Sequence, residues 1–513
     1  FNRDSSATRI GQNGLIQTVG YFGNELVTNG DYTNGLTGWA TQIPSGQSVT
    51  VTSNQLRINY DSGATQGSTG VNQTILTASV KVEIVIDIAS ITGTLRIQAG
   101  GQVKDISTTG IHKFEKTPTS TILYIIRSAN ASSLDVTINS ISIKEVQGDQ
   151  PRLNYDISNG VVQSCPSLLL EPASTNVIPY SEDFSNAAWS KTNLTVTDNQ
   201  TTSPDGSLNA SKLTEDTSTG EHKIFDSLSI TSGVDYTFSV FVKSNGRNFI
   251  RLRLENAGVG SGQINVWFDV LNGAVGTVGA GTAIIENYGN GWYRCIATGT
   301  TSATSYVAQI NLSDADNNVS YTGDGASGIY LFGAMLEELS YATSYIPTLS
   351  GAIQTRAAET CNDAGTSSTF NSTEGVLYAE ISGLALAGGD SRISLSDSTL
   401  NNRISFAYSP TASKGYIIVK INGVSVINNL NVEIGNHLDI KKIAISYKSG
   451  DTKVFLNGVE LSIASSVSFS GGVLNDLSFE SANSSVKFYG NVKDIRVYNE
   501  ALTDAQLQTL TTL

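Results

Sequence analysis

Apolar and polar residues alternate with a period of two along most of this chain. Val80, Val82, Ile84, Ile86 and Ile88 form one such run, Tyr236, Phe238, Val240 and Val242 a second, and Ile443, Ile445 and Tyr447 a third. Successive side chains of a β-strand point to opposite faces, so this spacing predicts half-buried strands. Asn-Gly pairs at 13–14, 159–160, 422–423 and 457–458 sit between apolar residues. Both central positions of a type I′ turn need positive φ, which Asn and Gly tolerate, so each pair predicts a hairpin. A helical pattern stands out at the end of the chain, in ALTDAQLQTL. There Thr503 and Gln506 have the spacing of a capping box, Asp504 suits the positive end of the helix dipole, and Leu507 and Leu510 make an apolar stripe. The predicted class is all-β: several β-sandwiches with one short C-terminal helix.

Two segments repeat each other, NELVTNGDYTNGLTGW at 24–39 and NVIPYSEDFSNAAW at 176–189. The matched pairs are Asn24/Asn176, Leu26/Ile178, Asp31/Asp183, Tyr32/Phe184, Asn34/Asn186 and Trp39/Trp189. Each copy then reaches a long alternating strand and closes on a strand bearing a glutamate, Glu145 or Glu337. Two sandwiches of one type follow, over 22–147 and 174–349, the second lengthened by the Gly-rich insertions AGVGSG and VGTVGAG. The pieces at 1–21 and 148–173 each hold one hairpin turn, so the first sandwich is expected to be inserted into a small β-collar that they form together. A polar stretch at 350–372 is long enough to read as a linker, which leaves a third sandwich at 373–513.

Composition narrows the partners. Only 15% of residues are charged, 49 are glycine, and the net charge is −14. Without a basic run there is nothing to neutralise a phosphate backbone or an anionic bilayer, so neither nucleic acid nor membrane is expected as a partner. No stretch approaches the ~18–20 apolar residues of a membrane span. Cys165, Cys295 and Cys361 are far apart and odd in number, without zinc-site spacing, so free thiols are expected. Met335 is the sole methionine and the chain opens at Phe1, from which a leader or anchoring segment is expected to precede it.

The ordered set SATRIGQNGLIQT, PRLNYD, LLLEPASTN, YSEDFSNAAW, NYGNGWYRC, YTGDGASGIYLFGAMLEE and SYIPT followed by TRAAE resembles modules of tailed-bacteriophage structural proteins, over about 5–20 and 150–360. The sandwich within it looks like the jelly-roll carbohydrate-binding modules attached to glycanases. The last sandwich, with KVFLNGVEL and FYGNVKDIRVYNEALTDAQL, is similar to the concanavalin A-like, laminin-G-like lectin fold. The resemblance implies two jelly rolls and a concanavalin A-like end domain, made in the host cytoplasm and carried on the virion surface as a fibre, spike or decoration. It implies other virion proteins and host-surface glycans as partners, and a homo-oligomer, with a trimer favoured.

Candidate chemistry is sparse. His112, His222 and His437 lie in no nucleophile motif, no G-x-S-x-G occurs, and the E-x-D-x-x-E strand of concanavalin A-like glycanases is absent, so no enzymatic activity is expected. Sugar sites on sandwiches use exposed aromatic rings flanked by polar side chains. Trp39, Trp189, Trp267 and Trp292 are the candidates, each read either as core packing or as a glycan platform, with Trp267 in QINVWFDV best placed for an exposed face. Jelly rolls of this kind often carry a structural Ca²⁺. The pairs Asp31/Glu145 and Asp183/Glu337, at the first and last strands of each copy, are either its ligands or solvated, turn-capping carboxylates. A polar loop from Asp397 to Asn402 is either a ligand loop or a solvated hairpin. Three functions stay open: a virion appendage with adhesive lectin-like modules, a purely architectural decoration protein, and the accessory domains of a glycanase.

Overall fold

A computed structural model describes residues 1–513 except 4, 21, 61–68, 129–132, 147–149, 258–261, 350, 385–390, 410 and 412, together with the side chains of 22 and 429–431. Most of the insertion AGVGSG and the end of the first predicted sandwich lie outside the described residues. The fold is all-β with one helix, Asp504–Thr511, among the described residues, and it divides into two compact units. One unit comprises Gly20–Asp149 with Thr348–Ala352, and the other Phe1–Val19, Gln150–Pro347 and Ile353–Leu513.

The inserted unit is a two-sheet sandwich. One sheet runs Gly110–Lys116, Val82–Gly93, Leu134–Val146, Gln55–Tyr60, Ser48–Thr52, and the other Gln102–Ile106, Leu95–Ala99, Ile122–Arg127, Gly70–Thr74, Ala40–Gln42. Ile84, Ile86, Ile88, Leu123, Ile125, Val136 and Ile138 fill the space between them, as period-two burial requires.

The second copy repeats this order strand for strand. Trp292–Thr300, Asp235–Asn245, Gly328–Glu337, Leu208–Glu215 and Leu194–Thr202 form one sheet, and Gly262–Asp269, Phe249–Asn256, Ser305–Ser313, His222–Ser229 and Ser190–Thr192 the other. The Gly-rich insertion adds one edge strand to each sheet, Ala274–Ala280 and Thr282–Gly289.

At the entry to each copy the structure shifts the repeat by one residue. Glu25 Oε1 accepts from the backbone amides of Val27 and Ile143 at 3.0 and 2.8 Å, and Asn176 Oδ1 accepts from those of Ile178 and Leu336, both at 3.1 Å. The equivalents are therefore Glu25/Asn176 and Val27/Ile178, which corrects the pairs Asn24/Asn176 and Leu26/Ile178. What the position demands is a side-chain oxygen that takes two amides, and residue identity does not reveal it.

The end sandwich packs Val424–Glu433, Lys414–Ile421, Arg403–Tyr408, Ser391–Ser396 and Asp476–Ser478 against a seven-stranded sheet. Four of the seven are Glu374–Gly383, Lys441–Lys448, Lys453–Leu456 and Val459–Glu460; Gly490–Tyr498 joins them to Ser167–Leu170 and Arg152–Asn154. The collar is thus no separate element: its second half completes the end sandwich, with Leu168 opposite Val492. Its first half, the hairpin Ala7–Ile10 and Ile16–Val19, meets the second where Tyr155 donates to the Ile10 carbonyl at 3.1 Å. The helix caps as its sequence predicts: Thr503 Oγ1 accepts from the Gln506 amide and Gln506 Oε1 from the Thr503 amide.

The stretch 350–372 is not a linker. Gln354–Arg356 pairs with Ser174–Asn176, Phe370 joins the end-domain core, and Arg356 and Glu359 enter a buried ionic cluster. Glu359 takes Arg3 and the Arg152 Nε on Oε1, each at 2.7 Å, and the Arg152 Nη2 and the Glu171 amide on Oε2. Glu171 pairs with Arg152 at 2.8 Å and Arg356 at 2.9 Å and accepts from the Ser344 amide and hydroxyl at 2.9 and 2.6 Å. Burial alone would push the Glu171 carboxyl up, but Arg356 and Arg152 hold it at about 2. Length and polarity suggested a tether because the partners of these residues lie hundreds of positions away.

Removing one member of a buried ion cluster strands its partners, at about 3–5 kcal/mol. Glu359→Gln is expected to lower the unfolding free energy of the larger unit by that amount in chemical denaturation. A loss under about 1 kcal/mol, the value of an exposed pair, would contradict the cluster's role.

Candidate functional site

All four tryptophans are buried, at 7% exposure for Trp39, 1% for Trp189 and 3% each for Trp267 and Trp292. Trp39 and Trp189 pack at a tilt against the equivalent rings Tyr32 and Phe184, with centroids 5.9 and 5.4 Å apart. Their indole N–H groups donate to the carbonyls of Asn29 and Tyr180, both at 3.1 Å. Trp292 donates to the Thr202 carbonyl at 3.1 Å within an aromatic cluster containing Phe241, Phe332 and Tyr345. Trp267 does project from the outward face, with Phe268 in the core, but the Arg251 guanidinium lies over its ring at 4.8 Å and its N–H reaches the Asn318 carbonyl. None of the four presents a free ring face, so the platform reading is corrected to packing.

The four carboxylates suggested for Ca²⁺ are engaged elsewhere. Asp31 accepts from the Thr33 amide and hydroxyl, and Asp183 from Ser185 and Asn186, each closing a turn. Glu145 accepts from Thr77. Glu337 is buried, accepts from Ser174 and from the Thr343 amide and hydroxyl, and has its carboxyl pushed up by that burial. Among the described residues no group of three or more His, Cys, Asp or Glu side chains has the arrangement of a metal site. The Asp397 loop closes on itself, with Thr399 and Asn402 donating to its carboxylate.

A different surface emerges on the second sandwich. In the sheet around Ser305–Ser313, residues such as Ile310, Leu252 and Val266 enter the core, so their chain neighbours point outward. Strand register sets Lys223, Asn311, Arg251 and Trp267 side by side in one row, and Phe225, Gln309, Arg253 and Asn265 in the next. With strands ~4.8 Å apart, each row is roughly 14 Å long. The charges are arranged around the amides: Lys223 pairs with Glu221 at 2.6 Å, Arg253 with Glu255 at 2.7 Å, and Glu255 accepts from Gln309 at 2.5 Å. Arg251 donates to Asn265 at 2.6 Å and faces Glu221 at 3.5 Å. Burial, with Arg253 nearby, pushes its guanidinium down to about 10.

At the middle of the first row stands Asn311, only 2% exposed, with neither its amide nitrogen nor its oxygen hydrogen-bonded. Leaving such a group unpaired costs about 1–3 kcal/mol. Sequence reasoning passed over this face because it looked for tryptophan. The available signal was the alternation in IRLRLEN and VAQINLS, where every outward residue except Val307 is polar. By contrast, the depression of about 580 Å³ beside Ser174, Thr231, Tyr236 and Glu338 has its polar groups satisfied, since Thr231 and Tyr236 both donate to Glu338.

One carboxyl is moved into the neutral range. Burial, and secondarily Asp205, pushes Glu182 up to about 7, against the opposing hydrogen bond from Tyr345 at 3.0 Å.

No family model and no curated protein matches the chain. Among solved structures it is similar to Ruminococcus gnavus IT-sialidase CBM40 bound to alpha2,3 sialyllactose, with 14% identity and a TM-score of 0.23 over 28% of this chain and 84% of that one. The CBM22-1-CBM22-2 tandem domain from Paenibacillus barcinonensis Xyn10C gives 11% identity and a TM-score of 0.22 over 62% and 98%. Trypanosoma rangeli sialidase gives 10% and 0.24 over 99% and 97%. Likeness at this level carries no residue role and no activity.

Two expectations follow. Trp189→Ala and Trp292→Ala should each cost about 3–5 kcal/mol of stability, as truncation of a buried ring does; a melting temperature within a degree of the parent would place these rings outside the core. A carboxyl whose folded pKa is raised contributes stability that is complete below its unfolded value and is lost as pH rises through the folded one. Denaturation midpoints should therefore fall between pH 5 and 8, and Glu182→Gln should flatten that slope; an equal slope in the variant assigns it elsewhere.

Proposed function

We propose that this chain is a non-catalytic, glycan-binding adhesion protein whose second sandwich takes sugar on the outward face around Asn311. The carrying observation is that buried, unpaired amide, set among the donors and acceptors of Lys223, Arg251, Arg253, Gln309 and Asn265, with Phe225 as a neighbouring ring. Sugar hydroxyls donate and accept together and expose C–H faces to aromatic rings, so a saccharide satisfies this set better than an apolar ligand does. Display on a tailed-phage virion, as a homo-oligomer, is the setting the motif resemblance supports. Burial of all four indoles favours a second reading, an architectural protein that binds no sugar.

Glycan-array binding of the whole chain separates the two. Asn311→Leu should leave stability unchanged or raised, since it removes an unpaired polar group, while weakening glycan binding about 10-fold. Phe225→Ala should weaken it as well. An array without hits at high protein concentration, or undiminished binding by both variants, would sink the glycan reading. Release of reducing ends from a bound polysaccharide would overturn the non-catalytic one.

A further inference from the structure

The end sandwich carries a second outward sheet face of different chemistry. Ile393, Leu395, Ile404, Phe406, Ile417 and Val419 point into its core, which turns the residues between them outward. In register, Ser396, Arg403 and Lys420 form one row, Ser394, Ser405 and Ile418 the next, and Arg392, Ala407 and Tyr416 a third. The small Ser394, Ser405 and Ala407 are buried at the floor, while Arg392, Arg403, Lys420 and Tyr416 stand half-buried around them. The shape is a shallow trough with Arg403 and Lys420 at one end and Arg392 and Tyr416 at the other.

Three features of this trough are costly for a protein without a ligand. Arg403 and Lys420 are direct cross-strand partners, and like charges at such positions repel. Burial lowers the Arg403 pKa, and the nearby charge of Arg392 adds to this. The Arg403 Nε is buried without a hydrogen-bond partner, and among the described residues neither Arg403 nor Lys420 has a carboxylate partner. Of the nearby acids, Asp476 lies across Ser396 from Arg403, roughly two strand spacings or 10 Å away, and Ser478 donates to it, while Glu480 stands beside Ser394, which donates to its carbonyl, and takes the Ser484 hydroxyl on its carboxylate. All this occurs in a chain with a net charge of −14, where cations held together cannot be ascribed to a general surplus.

We infer that this face binds an acidic glycan, its sulfate or carboxylate groups seated on Arg403 and Lys420 with a sugar ring against Tyr416. A guanidinium offers a fork of donors to either oxyanion and Lys420 adds a point charge, so the anion removes the repulsion and supplies the missing acceptor. This site is separate from the face around Asn311 and does not depend on it.

The test titrates the whole chain with dextran sulfate oligosaccharides, an oligogalacturonate and neutral dextran of equal length, at two salt concentrations. Tighter binding of either acidic ligand than of dextran, weakening as salt rises, is expected. The double variant Arg403→Gln, Lys420→Gln should lose about 10-fold in affinity and most of the salt dependence, and because it removes like-charge repulsion it should remain folded. Asn311→Leu should leave this binding intact, so the two sites fail or succeed independently. Equal affinity for acidic and neutral oligosaccharides, or undiminished acidic binding by the folded double variant, would overturn the inference. The sulfated and carboxylated arms show which anion the site prefers.

Discussion

Two carboxylates buried among three arginines hold the larger unit together. Glu359 and Glu171 stand between Arg3, Arg152 and Arg356, with every one of these side chains withdrawn from water. Desolvating five charges is expensive, and the cost is met only if each finds its partners. Those partners come from the start of the chain, from both sides of the strands that complete the end sandwich, and from the segment that leaves the second sandwich. The cluster therefore requires all of these segments to be in place at once. An arrangement that displaced one would leave a charge unpaired in a dry interior.

That constraint explains why several of the motifs read as phage-like carry so many charged residues in otherwise apolar strands. Arg152 belongs to PRLNYD, Glu171 to LLLEPASTN, and Arg356 and Glu359 to TRAAE. Their chemistry is used internally, in joining segments. The outward faces of the sandwiches are correspondingly free to differ. In the inserted copy the outward row is Asn72, Tyr124 and Gln98, and Arg96 there is neutralised by a two-pronged pair with Asp105. The two outward rows of the second copy hold three cations, Lys223, Arg251 and Arg253, beside the carboxylates of Glu221 and Glu255, and an unsatisfied amide. One strand order thus supports two unlike surfaces, because inward residues set the fold and outward ones are constrained only by what they meet.

Legibility followed the same division. Period-two burial, the turns at Asn159-Gly160, Asn422-Gly423 and Asn457-Gly458 with positive φ at both positions, and the Thr503 cap were all visible beforehand. So was the repeat, which the structure carries through the five-strand order of each sheet, although its first two residue pairs had to slide by one. The tryptophans misled for a physical reason. A large ring is equally suited to a sugar platform and to a core, and what separates the two uses is whether another group, here Tyr32, Phe184 or Arg251, covers its face. The candidate site escaped notice because arginine, glutamine and asparagine on a strand read as ordinary solvated positions.

The sequence by itself determined that the chain is all-β, where its strands alternate, how its hairpins turn and that two of its sandwiches are copies, because each of these depends on residues within a few positions of one another. Only the tertiary structure decided that Arg356, Glu359 and Phe370 of the expected linker are buried in the larger unit, that Ser167–Leu170 serves the end sandwich, and that Lys223, Asn311 and Arg251 share one row. Arg3 and Glu359 are 356 positions apart and Arg152 and Glu359 are 207 apart. Contacts of that range leave no periodic trace in the chain, since their energy comes from desolvation and geometry that exist only once the sheets have been stacked.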